Sequence, residues 1–81
     1  MYTFTDSELE RLAELEHHYW MTDKLVDQWR WGPYKDSQAR ISPYLVPWDQ
    51  LPEQVKEFDR LFVRAIPGAL ARLGYEVRKT G

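Results

Sequence analysis

The chain has 81 residues, no cysteine and a formal net charge of −2 at pH 7, from 11 basic and 13 acidic side chains that are interspersed. This length predicts a single domain with a thin core, because so short a chain buries only about 60–65% of the surface it exposes when unfolded. The lack of cysteine excludes disulfides and thiolate metal sites, and we expect neither a metal nor a cofactor. No basic block is present, so nucleic-acid binding is not expected.

The N-terminal segment and the hydropathy of the chain indicate the expected cellular location of the protein. The N-terminal segment MYTFTDSELE lacks the basic region and following apolar run of a signal peptide. No apolar run approaches the roughly 20 residues that span a bilayer. We therefore expect a cytoplasmic protein that does not associate with membranes.

The first predicted element is a helix from about Asp6 to about Gln28. Thr5 and Glu8 have the three-residue spacing of a capping box, and Gly32-Pro33 prevents any continuation of the helix. Apolar side chains recur at helical spacing and predict one inward stripe, formed by Leu9, Leu12, Ala13, Tyr19, Trp20 and Val26.

One carboxylate falls within this stripe. Glu16 lies between Leu12 and Trp20 on the predicted inward face. An unpaired buried charge is costly, so one interpretation is that Glu16 is hydrogen-bonded to loop amides or to Arg40. The other interpretation is that this end of the face lines a polar cleft.

The second predicted helix begins at Pro52, which suits the first helical position, and Glu53 complements the positive helix end. Pro67-Gly68 predicts a kink, or a break that opens a second short helix, and Gly74 is a predicted C-cap. The tail at 75–79, YEVRK, alternates like a short strand. The apolar stripe of this helix comprises Val55, Phe58, Phe62, Ile66, Ala69, Leu70 and Leu73, with Asp59 on the same side.

The sequence does not favour catalysis. His17 and His18 are adjacent and point about 100° apart on a helix, so they cannot chelate one metal together. No metalloprotease, phosphate-loop or dinucleotide motif is present, and we expect no enzymatic activity. The catalytic alternative is a nucleotide-acting enzyme fragment in which His17 is the general base.

Binding is better supported by the residue types. An aromatic face such as Trp20 can stack on a base, which contributes about 1–3 kcal/mol. Lys35 and Arg40 can neutralise phosphate, and Asp59 can accept hydrogen bonds from ribose hydroxyls. Each of these side chains also has an ordinary structural interpretation, in which Trp20 is core, Lys35 is solvated and Arg40 pairs with Glu16.

An ordered series of short motifs resembles the ryanodine-receptor repeat, or RyR domain, over about residues 9–74. Three positions depart from its usual pattern: Gln28 stands where glycine is usual, Trp31 where tyrosine is usual, and Ser42 where histidine is frequent. The matching elements are Glu16-His17-x-x-Trp20, Trp29-x-Trp31-Gly32-Pro33, Lys35-Asp36, Pro43-x-Leu45, Trp48, Leu51-Pro52-Glu53 and Phe58-Asp59.

The resemblance implies a mainly α domain. Two long antiparallel helices, the second kinked at Pro67, would carry a long Pro- and Trp-rich loop across them, with a short β element allowed. In that arrangement Trp29 and Trp48 hold the loop down and leave Trp31 or Trp20 for a ligand or partner. A homodimer would reproduce the tandem repeats of the calcium-release channels, and twofold dimers are the commonest oligomers.

The resemblance also implies a ligand, an adenine nucleotide or an ADP-ribose-type compound, bound by a non-catalytic sensor module. The stacking ring falls on Trp20, the basic loop contact on Lys35, the frequent histidine on Ser42 and the polar helix contact on Asp59. Together with residues chosen on chemistry alone, the predicted ligand site comprises Trp20, Lys35, Arg40, Ser42, Asp59, His17 and Trp31. The alternative is a protein-interaction or dimerisation module in which the aromatic loop, with Trp31 and Trp48, forms the interface.

Overall fold

Two long helices and an irregular connecting segment make up the computed structural model, which describes residues 2–80. Helix α1 is Asp6–Val26 and helix α2 is Glu53–Arg72, with strands β1 (Arg30–Trp31) and β2 (Ile41–Ser42) and a 3₁₀ turn at Trp48–Gln50 between them. The predicted mainly helical fold is confirmed. Among the described residues, no helix is both long enough and apolar enough to cross a membrane.

Helix α1 begins with the predicted capping box. The backbone N–H of Glu8 donates to Thr5 Oγ1 at 3.1 Å, and the backbone N–H of Thr5 donates to the Glu8 carboxylate at 3.0 Å. The Glu8 carboxylate also accepts a hydrogen bond from the Lys79 ammonium at 3.0 Å. Hydrogen bonds from Thr5, Lys79 and Tyr2 lower the pKa of Glu8 to about 2.

Helix α1 ends at Val26, two residues before the predicted boundary. Gln28 has a φ of 67°, in the left-handed region that side chains other than glycine seldom adopt. The N–H of Trp29 then donates to the Lys24 carbonyl at 2.9 Å, which closes the helix end. A glycine would adopt this backbone conformation without strain.

The β structure lies in the connecting segment. Strands β1 and β2 pair in parallel, with Arg30 opposite Ile41 and Trp31 opposite Ser42. The strand predicted for the tail at 75–79 is wrong, because no strand is found there. An alternating pattern forms a strand only beside a partner, and the tail pairs with no strand within residues 2–80.

The core is small and lies where the two helices meet. Its buried cluster is Leu9 and Ala13 of α1 with Val63 of α2, and Trp48 of the connecting segment packs against it. Helix α2 is continuous through the buried Pro67, so the predicted break is not found. The kink and the antiparallel arrangement remain predictions.

The predicted apolar stripes are only partly buried. On α2 the buried residues are Val63 and Pro67, whereas Phe58, Phe62 and Leu73 of the predicted stripe are exposed. On α1 the buried residues include Leu9 and Ala13, but Tyr19 and Val26 are exposed. Part of the predicted stripe of α2 therefore lies outside the contact between the helices.

Gly32 offers a test of the loop packing, because a Cβ at this position would collide with Cγ2 of Ile41. We predict that Gly32→Ala lowers the free energy of unfolding by about 1–3 kcal/mol, as overpacking does elsewhere. Urea denaturation followed by tryptophan fluorescence measures this. Ile41→Ala removes the colliding methyl, so the double variant is expected to lose less than the sum of the single variants. Strictly additive losses would contradict the collision.

Candidate functional site

A cavity of about 220 Å³ opens between α1, α2 and the connecting segment. Each helix lines the cavity with residues three or four positions apart, which lie on one face of a helix. Its lining residues are Glu16, His17 and Trp20 of α1, Tyr44 of the segment, and Val55, Phe58 and Asp59 of α2. The cavity therefore combines aromatic rings with two carboxyl groups.

His17 fixes one wall of this cavity. It is buried, and its Nε2 lies 2.8 Å from the Val46 carbonyl oxygen. A carbonyl only accepts hydrogen bonds, so Nε2 carries the proton and donates. The His17 ring also stacks on Trp20, with centroids 5.6 Å apart and planes 20° apart. His17 thus ties the connecting segment to α1 and orients the indole of Trp20.

The carboxyl groups of Glu16 and Asp59 both line the cavity, close enough for each to affect the pKa of the other. Burial raises the pKa of both groups, and the neighbouring Asp59 carboxyl raises the pKa of Glu16 further. Raised pKa values favour a pair in which one group keeps a proton, and a hydrogen bond between two carboxyl groups requires such a proton. Within residues 2–80 neither group forms an ion pair with a lysine or an arginine.

Glu16 was expected to be hydrogen-bonded to loop amides or to Arg40 in one interpretation, and the pairing with Arg40 is wrong. Arg40 instead donates from Nη1 to the Asp27 carbonyl oxygen at 2.9 Å and lies 3.7 Å from the Asp27 carboxylate. Arg40 also has a positive φ of 58°. Its side chain therefore ties the connecting segment to the end of α1.

Three other predicted ligand contacts lie elsewhere. Ser42 is buried in β2, where its Oγ accepts a hydrogen bond from the Tyr44 N–H at 3.2 Å. Trp31 in β1 and Lys35 are exposed. Lys35, Arg40, Ser42 and Trp31 are not among the residues that line the cavity, whereas Trp20, His17 and Asp59 are.

Sequence reasoning missed a cation beside Trp20. The Lys24 ammonium lies 5.9 Å from the centroid of the Trp20 ring and 4.4 Å from that of Trp29. Trp20 and Lys24 are four residues apart on α1, and this spacing was a signal available in the sequence. Tyr44 and Val55 were also missed as cavity residues, and Phe58 was assigned to the core.

A family model described as the RyR domain matches residues 4–79. The chain belongs to the RyR domain family. The predicted resemblance is confirmed, with wider bounds than the motifs indicated. The two helical motif elements, Glu16-His17-x-x-Trp20 and Phe58-Asp59, supply five of the seven residues that line the cavity. The RyR motifs on the two helices thus converge on one site.

The carboxyl pair of this RyR domain makes its stability depend on pH. Both pKa values are raised above the ordinary values of 4.5 for Glu16 and 3.8 for Asp59, so the folded state binds protons more tightly than the unfolded state. The contribution of the two carboxyl groups to folding stability is fully present when the pH is below their ordinary pKa values. This contribution is lost as the pH rises through the raised pKa values of the folded state.

We therefore predict that Asp59→Asn is more stable than the wild type at pH 7, because the new amide donates to Glu16 without requiring a proton. The advantage should vanish as the pH falls towards 4. Urea midpoints measured across this pH range test the prediction. Asp23→Asn, at an exposed carboxylate of α1, is the matched control and should not change the pH profile. A uniform loss of stability in Asp59→Asn would contradict the shared proton.

Proposed function

We propose that this RyR domain is a non-catalytic, small-molecule-binding sensor module whose ligand is an adenine nucleotide or an ADP-ribose-type compound. The observation that carries the proposal is the convergence of Trp20 and Asp59 in one cavity with the Glu16-His17 motif element. Family membership supports the choice of ligand class, since the RyR resemblance implies an adenine nucleotide.

The ring of the ligand would stack on Trp20. The indole lines the cavity and is held in orientation by the stacked His17 ring. Base stacking on an aromatic side chain contributes about 1–3 kcal/mol and works with any base. Tyr44 and Phe58 supply further aromatic walls. Stacking alone therefore gives affinity, and specificity must come from the polar groups.

The carboxyl groups of Glu16 and Asp59 would favour ligand groups that donate hydrogen bonds. An ionised Asp59 accepts from ribose hydroxyls or from a base amino group, whereas it repels phosphate. Among the described residues, no lysine or arginine lines the cavity. The phosphate would therefore leave the cavity on the side of Lys24, the cation that contacts Trp20. On this ground we favour Lys24 over Lys35 and Arg40 as the phosphate partner.

The size of the cavity limits what it can hold. Its 220 Å³ lies below the range of about 300–1,000 Å³ typical of sites for drug-sized ligands. We propose that it takes a nucleoside-sized portion and leaves the rest of the ligand outside. Affinity would then be micromolar or weaker.

The hydrogen bond of His17 bears on the catalytic alternative. Its Nε2–H donates to the Val46 carbonyl oxygen, so only Nδ1 of this buried ring has a lone pair that can accept a proton. The alternative with His17 as general base therefore depends on that one nitrogen. We also propose a cytoplasmic location, because a chain without cysteine suits a reducing compartment.

A second candidate function is a protein-interaction module that uses the aromatic loop. Trp31 and Tyr34 are exposed and favour this alternative. Trp48, the other residue named for that interface, packs against the core and donates from Nε1 to Glu10 at 3.3 Å. The alternative therefore depends on Trp31 and Tyr34.

Trp20→Ala tests the stacking site. Isothermal titration calorimetry against adenosine, AMP, ADP and ADP-ribose is expected to give saturable heat with the wild type and an at least tenfold weaker response with Trp20→Ala, which corresponds to about 1.4 kcal/mol. Trp31→Ala, which changes an indole outside the cavity, should bind like the wild type. Unchanged affinity in a folded Trp20→Ala protein, or no heat for any compound at millimolar concentration, would overturn the proposal.

Lys24→Ala tests the phosphate position. The affinity for ADP is expected to fall about tenfold, because one charge-assisted contact is lost, while the affinity for adenosine stays the same. Lys35→Ala is the matched control, since Lys35 is an exposed lysine outside the cavity. If only Lys35→Ala weakened ADP binding, the phosphate would lie on the connecting segment.

A further inference from the structure

The single chain exposes more surface than a folded protein of its mass normally does. Its accessible surface is 6532 Å², whereas about 5,100 Å² is expected for a monomer of 9.7 kDa. Its radius of gyration is 15.0 Å, against about 11.7 Å expected for 81 residues. The excess of about 1,400 Å² exceeds the roughly 800 Å² that each partner buries in a stable interface.

Within residues 2–80, three of the twelve large hydrophobic side chains that are exposed lie on one face of α2. Phe58, Leu61 and Phe62 are 71%, 51% and 60% exposed, and Ala65 and Ala69 continue the same face at helical spacing. We call these five residues the α2 face. A contiguous apolar face of this kind marks an interaction surface.

The two ends of the α2 face carry side chains of different size, so one end could pack against the opposite end in a second copy. Its N-terminal half carries the two large rings, Phe58 and Phe62. Its C-terminal half, Ala65 and Ala69, carries no large side chain and borders a shallow groove that is also lined by Gly68, Ala71 and Arg72. A second α2 helix running in the opposite direction would bring rings of one copy over the groove of the other. A parallel pair would bring rings against rings and leave the grooves empty.

We propose that two copies of this chain form a twofold symmetric dimer through their α2 faces, with the helices antiparallel and the axis near Ala65 and Ile66. Phe62 of one copy then lies opposite Ala69 of the other, and Phe58 opposite Leu73. Twofold contacts of this kind use the same patch on both copies. This surface differs from the aromatic loop, and pairing through it does not require a ligand.

Charges at the rim agree with this register. Glu57 of one copy falls opposite Arg72 of the second copy, and symmetry repeats the pair. Within residues 2–80 Arg72 makes no ion pair of its own, whereas Arg64 lies 3.7 Å from Glu57. The N-terminal half of α2, at 53–62, carries three acidic and two basic side chains, whereas its C-terminal half, at 63–72, carries only Arg64 and Arg72. Antiparallel helices therefore bring a half with a net negative charge against a positive half.

Sedimentation velocity tests the dimer. The wild type is expected to sediment with twice the chain mass of 9.7 kDa at concentrations of about 100 μM and to dissociate on dilution. Phe62→Arg should be monomeric under the same conditions. Trp31→Arg is its matched control, since Trp31 is 59% and Phe62 is 60% exposed, and it should remain a dimer. A monomeric wild type would overturn the proposal, as would a dimer lost in Trp31→Arg but not in Phe62→Arg.

The Ala65→Arg variant is a second test of the interface, needed because Phe62→Arg could lose the dimer through misfolding. Ala65 is exposed and arginine is a good helix former, so helicity by circular dichroism should match the wild type while the dimer is lost. A dimer that persists in Ala65→Arg would overturn the proposed surface. Calorimetric titration of this variant with ADP separates the two proposals, because loss of the dimer does not remove the cavity.

Cysteine cross-linking tests the proposed interface directly, because the chain contains no cysteine. Ala65→Cys places a thiol near the proposed axis, where oxidation should link the two copies. Ala39→Cys places one on the exposed connecting segment and should give at least tenfold less cross-linked product. Equal cross-linking in the two variants would overturn the proposed interface.

Discussion

The small buried cluster that contains Ala13 and Val63 governs the rest of the structure. Both residues are small and almost fully buried, and with Leu9 they form the cluster where the two helices meet. Small side chains let helix axes approach closely but bury little apolar area per residue. The large aromatic side chains of α2, Phe58 and Phe62, therefore remain outside this contact. The cavity and the α2 face both lie at its margins.

Two glutamates of α1, Glu10 and Glu16, lie against α2 in opposite electrostatic environments. Glu10 accepts two hydrogen bonds from the Arg60 guanidinium, at 2.8 and 2.9 Å, and a third from Trp48. These bonds lower the pKa of Glu10, and the carboxylate joins both helices to the connecting segment. Glu16 instead is partly buried beside Asp59 and forms no ion pair with a lysine or arginine within residues 2–80. Burial, and then the neighbouring Asp59 carboxyl, raise the pKa of Glu16. The first acid holds the fold together, and the second leaves hydrogen-bonding capacity available to a ligand.

Features that depend only on neighbouring residues were predicted correctly from the sequence. Features that depend on which face of a helix packs inward were not. The capping box of Thr5 and Glu8 needs only neighbouring residues, and it was found where expected. A periodic stripe shows which residues share a face, but not which face turns inward, so Phe58 and Phe62 were wrongly expected to be buried. The partner of Arg40 depends on the path of a long loop. Trp20, His17 and Asp59 were identified because each stands out from its helix by residue type.

Phe58 connects the two proposals. It lines the cavity and belongs to the α2 face, with 71% of its surface exposed in the single chain. Under both proposals a second copy would cover one side of this ring while a ligand touched the other. Any restriction that pairing places on the Phe58 side chain would alter ligand affinity, and linkage requires the ligand to alter dimer stability by the same factor. A domain this small could in this way convert occupancy of its cavity into a change of assembly without a large movement of either helix.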